Sequence, residues 1–213
     1  MSKGTEMSDN PQIPFEKFEF APVIQLPPIY DIFDFTGGYD SNRRLEIPYG
    51  IGRYDEVRPS MYVSDLFKKQ SEPRNIHIGI DIAAPVGEAV HAFADSRVYL
   101  SAINAAEGDY GGTVILEVNL KYKSETHLFW ALFGHLSHNS VSDNRPGRVL
   151  KKGEAFASVG AREENGGWNP HLHFQLSLNR PQICDLPGTV TASARTQALK
   201  IYPDPRLVLG PLY

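Results

Sequence analysis

Three short stretches of this sequence carry residue types and spacings suited to metal chemistry. His77 and Asp81 stand four apart in His-Ile-Gly-Ile-Asp, and His171 and His173 stand two apart in Pro-His-Leu-His-Phe-Gln-Leu-Ser. His135 ends a third apolar run in Phe-Gly-His-Leu-Ser. Together they offer His77, Asp81 and one or both of His171 and His173, with a further imidazole at His135. Two histidines and one carboxylate leave a fourth position open for water, which is the ligand arrangement of catalytic rather than structural zinc. Zinc can lower the pKa of that water to about 7. The remaining imidazoles would then orient the water, move protons and stabilise charge on an attacked carbonyl. Two histidines and a carboxylate also form the facial triad of non-haem iron oxygenases, but the two additional histidines fit hydrolysis better.

These side chains need elements to carry them. Alternation along a strand puts His171, His173, Gln175 and Ser177 on one face and Leu172, Phe174, Leu176 and Leu178 on the other. Taken alone, such a strand reads most simply as one with a solvated polar face. His77 and Asp81 would lie about 13 Å apart in a straight strand at roughly 3.3 Å per residue. Ile76, Ile78, Ile80 and Ile82 nevertheless favour a strand over a helix. A bend at Gly79, free to take positive φ, is therefore expected to bring the two ligands together. Phe129, Ala131 and Phe133 lead by parity to His135 on their own face.

The 213 residues suffice for one substantial core, and 41% hydrophobic with 22% charged residues is ordinary for a soluble globular protein. A formal net charge of -4 offers no basic footprint for nucleic acid or an anionic membrane. Neither a secretory h-region nor a membrane span is visible, so a cytoplasmic address is expected, or a periplasmic or secreted one if a leader has been removed. The single cysteine, Cys184, excludes an internal disulfide and any multi-cysteine zinc site. Residues 1–25 read as a flexible tail. Residues 26–71 form a Pro- and aromatic-rich extension with a short helix expected over 61–70. From residue 72 to 180 short β-branched runs alternate with turns, the pattern of a mainly β, antiparallel body, and 181–213 form a second extension packed on it.

His-x-x-x-Asp, then Gly-His-Leu-Ser, then His-Leu-His-Phe, in that order, resembles the lysostaphin and LytM family of zinc metallopeptidases. The likeness runs from about Arg74 to Leu178 and includes Gly79-Ile80-Asp81-Ile82-Ala83-Ala84-Pro85-Val86-Gly87. It implies an antiparallel β-sheet groove of the duplicated hybrid motif type. It also implies zinc on His77, Asp81 and His173, and His135 and His171 as the catalytic pair. Gln175 stands where the family usually has Glu, and the Asn165-Gly166-Gly167-Trp168-Asn169-Pro170 loop departs from the family's text. That loop and Asp109-Tyr110-Gly111 are similar to a cytoplasmic branch fused between a kinase-like phosphotransferase and an aminotransferase. The expected activity is endopeptidase-type amide hydrolysis on a peptide or peptidoglycan-like substrate. An intracellular small-amide hydrolase and a metal-free binding module are the alternatives, and oligomeric state is not legible. His91, His127 and His138 are expected to be structural or surface histidines. Arg74 is a candidate to polarise substrate, with a surface or salt-bridge role as the alternative, and Trp168 is a candidate to line the groove or to anchor its own loop.

Overall fold

The computed structural model describes residues 13–40, 47–67 and 71–213. Among these, thirteen strands are formed: β1 (Asp31–Ile32), β2 (Gly50–Gly52), β3 (Glu56–Val57), β4 (Ile76–His77), β5 (Ile80–Ala83), β6 (Ala89–His91), β7 (Ser96–Asn104), β8 (Gly111–Tyr122), β9 (Glu125–Leu136), β10 (Val149–Leu150), β11 (Ala155–Ser158), β12 (His171–Ser177) and β13 (Thr189–Val190). Helices are short: α1 (His138–Asp143), α2 (Arg195–Ile201) and α3 (Arg206–Leu209). None of the described helices is long and apolar enough to cross a membrane.

Eight strands form one sheet in the order β1-β2-β5-β12-β9-β8-β7-β10, antiparallel except between β1 and β2. β4 lies instead with β3 and β13 in a small second sheet, and β6 pairs with β11. This is the mainly β, antiparallel body that the alternating apolar runs predict.

β12 runs between β5 and β9 at the centre of the large sheet. Leu172, Phe174 and Leu176 enter the main core with Phe93, Val114, Leu116 and Phe133. Fully burying each such side chain stabilises by roughly 1.5–3 kcal/mol. A slip of one residue would send the histidines inward, so this burial fixes which residues reach the site. The polar face is not solvated: Gln175 and Ser177 are fully buried, on the side where Cys184 and Leu186 pack with Trp130 and Leu132.

The segments before residue 72 are joined to this sheet. Residues 1–12 of the expected tail lie outside the described residues, but 13–25 are packed rather than loose. Phe15, Val23 and Ile24 are buried in the main core, and the Val23 carbonyl accepts from the His91 amide at 2.9 Å. β2 pairs with β5, placing Gly52 opposite Asp81, so residues 26–71 supply strands to the large sheet. The helix expected over 61–70 does not form in its described part, 61–67, where one turn closes from Phe67 to the Ser64 carbonyl. Met61 is buried and Tyr62 is tied to Arg58, so tertiary packing overrides local helical preference. Residues 68–70 lie outside the described residues.

Candidate metal centre

His77 ends β4 and Asp81 lies on β5, so the His-Ile-Gly-Ile-Asp stretch crosses from one sheet to the other. That crossing solves the distance problem, although not through a positive φ at Gly79. Gly79 is needed for space: a Cβ there would come within 2.4 Å of His173 Cε1. Asp81 faces His173 directly across the β5/β12 ladder.

Three atoms converge as a result. His77 Nε2 lies 3.1 Å from His173 Nδ1 and 3.1 Å from Asp81 Oδ1, and His173 Nδ1 lies 3.0 Å from that same oxygen. The far nitrogens are occupied by acceptors, with His77 Nδ1 donating to the Arg53 carbonyl at 2.9 Å and His173 Nε2 donating to Gln175 Oε1 at 3.1 Å. Those hydrogen bonds select tautomers whose convergent atoms are lone pairs. Burial, with the Arg58 charge added, pushes His77 down to about 4, so it is neutral near pH 7. Burial opposes ionisation of Asp81, but His77 and Arg58 outweigh it and hold the carboxyl well below the usual carboxylate range.

Two imidazole lone pairs and a carboxylate oxygen facing one another at this separation repel unless a cation lies among them. A tetrahedral zinc with bonds of about 2.0–2.2 Å separates its ligand atoms by roughly 3.3–3.5 Å, a few tenths more than this triangle. Small side-chain adjustments close that difference. Among the described residues, His77, Asp81 and His173 are the group of histidine, cysteine and acidic side chains that could hold a metal ion.

The other two expected histidines stand beside this triangle. The His135 and His171 rings are 4.2 Å apart, and His171 Nε2 lies 3.7 Å from Asp81 Oδ1. His135 arrives differently from the alternation of β9. Phe133 and Leu136 both enter the main core, and His135 between them has φ 63°. That left-handed residue breaks the parity and turns the imidazole off the Phe129–Phe133 face, toward His171 and Tyr110.

One loop fixes both rings. His135 Nδ1 donates to the Asn165 carbonyl at 2.8 Å, and His171 Nδ1 donates to the Asn169 carbonyl at 2.7 Å. Each Nε2 is thereby left as an acceptor. Burial lowers the pKa of both, that of His135 well below the usual range, so both are neutral bases near pH 7. The fully buried Asn165 side chain clamps the loop, accepting from the Trp168 amide at 2.9 Å and donating to its carbonyl at 3.0 Å.

A cavity of about 990 Å³ opens over these groups. Phe35, Tyr39, Tyr62 and Phe67 of the N-terminal extension form one wall with Trp168, and Asp185 and Thr189 of the C-terminal extension contribute another. Arg74 lines it too, with its Nε donating to the Thr189 carbonyl at 3.2 Å. His91, His127 and His138 stand outside it, and the buried Cys184 thiol is pushed up to about 12 by burial. Motif spacing pointed to neither Arg58, whose guanidinium touches Asp81, nor Tyr110, whose hydroxyl lies 3.4 Å from His173 Nε2. The Gly-rich text around Tyr110 and the departure at Gln175 were the only signals.

The family model for peptidase family M23 matches residues 75–184, which include all five of these histidine and aspartate side chains and make up just over half of the chain. Over 125 residues the chain is 28% identical to the DD-carboxypeptidase/endopeptidase Mpg of Neisseria meningitidis, a match covering 59% of this chain and 25% of that protein. The chain therefore spans about a quarter of the curated relative's length. Among solved structures, a zinc containing peptidase from Vibrio cholerae is similar at 25% identity and TM-score 0.37, covering 48% of this chain and 27% of that one. The catalytic domain of the M23 protein EnpA from Enterococcus faecalis is similar at 21% identity and TM-score 0.42, covering 70% and 92%. On the match of the family model to more than half of its length, the chain belongs to peptidase family M23.

Proposed function

We propose that this chain is a zinc-dependent hydrolase of amide bonds, in which His77 Nε2, Asp81 Oδ1 and His173 Nδ1 hold the ion and His135 and His171 carry the proton chemistry. The observation that supports this best is the triangle of three lone-pair atoms with edges of 3.0–3.1 Å. A bound zinc ion supplies Lewis acidity at that point, acidifying water to a pKa of about 7 and polarising a carbonyl.

The rest falls to the side chains. Nε2 of His135 or His171 accepts the proton that an attacking water gives up, becoming an imidazolium whose Nδ1 already donates to a loop carbonyl. The same Nε2 then has a proton to deliver to the departing amine nitrogen. While charged, it also faces the negative charge that develops on the carbonyl oxygen. Burial, which disfavours an imidazolium at rest, keeps both rings ready as acceptors.

On this reading residues 72–180 form the catalytic domain, and residues 26–71 and 181–213 wall its cavity. The substrate is a peptide or a peptidoglycan-like chain, in line with the activity named for the Neisseria relative. A small amide is the second reading, favoured by the walls that both extensions add around the site. The test is elemental analysis of purified protein beside cleavage assays on glycine-rich peptides, muropeptides and small amides. The expected result is about one zinc per chain, with hydrolysis lost on chelation and in His173→Ala. Activity that survives both treatments would overturn the proposal.

A further inference from the structure

Asp81 uses its two oxygens differently. Oδ1 faces the imidazoles of His77 and His173, whereas Oδ2 accepts from Arg58 Nη1 at 2.7 Å. Arg58 is 1% exposed, which is unusual for a guanidinium and requires that its charge be paired and its donors satisfied. The extension satisfies them. Arg58 Nε donates to Glu56 Oε2 at 2.9 Å, Nη1 also donates to the Tyr62 hydroxyl at 3.0 Å, and Nη2 donates to the Arg53 carbonyl at 3.3 Å. The Phe35 ring covers the group, with its centroid 4.8 Å from Cζ.

Two further features tie this arrangement to the metal centre. The Arg53 carbonyl that receives Arg58 Nη2 is the one that receives His77 Nδ1, so one backbone oxygen orients both a ligand and the arginine behind another ligand. Opposite Asp81, Gly52 makes room for the contact, because a Cβ there would come within 2.8 Å of Arg58 Nη2 and 3.1 Å of Asp81 Cβ. Glu56, Arg58, Tyr62 and Gly52 all precede residue 75, where the family match begins.

We propose that Arg58 is a positioning residue that acts through Asp81: by occupying Oδ2 it makes the carboxylate a one-oxygen ligand and aims Oδ1 at the two imidazoles. The proposal rests on the metal-centre reading above. A carboxylate with both oxygens free can bind a cation through either or both of them. One oxygen committed to a buried, charge-assisted hydrogen bond is not available for that. Arg58 thereby makes the N-terminal extension a working part of the site, since the guanidinium that sets ligand geometry is itself held by that extension.

The test loads the full chain with Co(II) in place of zinc and reads its visible absorption, whose intensity reports coordination number and geometry. Wild type is expected to show the intense bands of a four-coordinate ion. Arg58→Met, which frees Oδ2, should weaken those bands by about twofold or more as a second oxygen joins the ion, and Arg58→Lys, which keeps a cation in reach, should restore them. Arg58→Gln, better tolerated beside Glu56 and Tyr62, serves as a second neutral variant if Arg58→Met does not fold. A folded neutral variant that takes up one equivalent of cobalt with the wild-type spectrum overturns the role of Arg58 and leaves the metal centre standing. Wild type that takes up no cobalt overturns both.

Discussion

Gln175 Oε1 lies 3.1 Å from Nε2 of His173, two residues away on the same face of β12, and its side chain is fully buried. The resemblance to the zinc peptidases leads one to expect Glu at this position. An amide keeps the hydrogen bond that selects the His173 tautomer but gives up the negative charge that would make the imidazole a stronger donor. Only the geometric half of the usual interaction is therefore retained. Gln175→Met, which is close in volume and lacks the acceptor, should weaken zinc binding by about 10- to 100-fold. Competition against a chromogenic chelator measures this, and an unchanged affinity would show that Gln175 does not orient His173.

His135 and His171 share one loop as their anchor and stand 4.2 Å apart, so the proposed mechanism makes them a functional unit. His135→Ala or His171→Ala should each lower kcat by about 10²- to 10⁴-fold while leaving zinc content near one per chain. Groups that act as a unit are not additive, so the double variant should fall little below the weaker single one. His173→Ala should lose metal and activity together. A single variant that loses its zinc in step with its activity would place that residue among the ligands instead.

Much of this was legible because it depends on short-range rules. Alternation alone puts Leu172, Phe174 and Leu176 in the core and His171, His173 and Gln175 opposite them, and the structure keeps that division. The convergence of His77 and Asp81 was legible as a need for a bend, but its cause was not. The chain changes sheets between β4 and β5, and the glycine makes room for a ring from β12, a segment that is distant in sequence. His135 misled for a related reason, since a left-handed backbone at a histidine leaves no mark in a hydrophobic pattern. Arg58 was the least accessible of all. Its significance comes from Glu56, Tyr62 and Asp81 meeting in space, and nothing in Val57-Arg58-Pro59 announces a buried guanidinium.

The two glycines of the loop make a controlled pair. Gly166 and Gly167 have φ 83° and 89°, so alanine at either position bears the left-handed penalty of roughly 1–2 kcal/mol. At Gly166 a Cβ would also lie 1.9 Å from the Asp109 carbonyl oxygen, whereas at Gly167 nothing lies within 4 Å. Gly166→Ala should therefore cost at least about 2 kcal/mol more than Gly167→Ala in chemical denaturation. It should also lower kcat, because the displaced segment adjoins Asn165, whose carbonyl holds His135. Equal stabilities for the two variants would mean that the loop does not lie against residues 108–110 as closely as described.

Acid should destabilise the metal-free protein in a defined window. Burial depresses His77 from its ordinary value of 6.5 to about 4, so between those values the unfolded chain binds a proton that the folded chain refuses. Stability is then highest above about pH 6.5 and falls as pH drops toward 4, by roughly 1.4 kcal/mol per pH unit and about 3 kcal/mol in all for His77. His135 and His171, also lowered by burial, steepen the fall in the same direction, while Asp185, which burial raises to about 6, offsets part of it below that pH. Urea denaturation of chelator-treated protein at intervals from about pH 7 to about pH 5 measures the slope, and His77→Asn should reduce it by about one proton. A wild-type midpoint that holds constant across that range would mean that these imidazoles are not buried in neutral form, and the lone-pair triangle would lose its foundation.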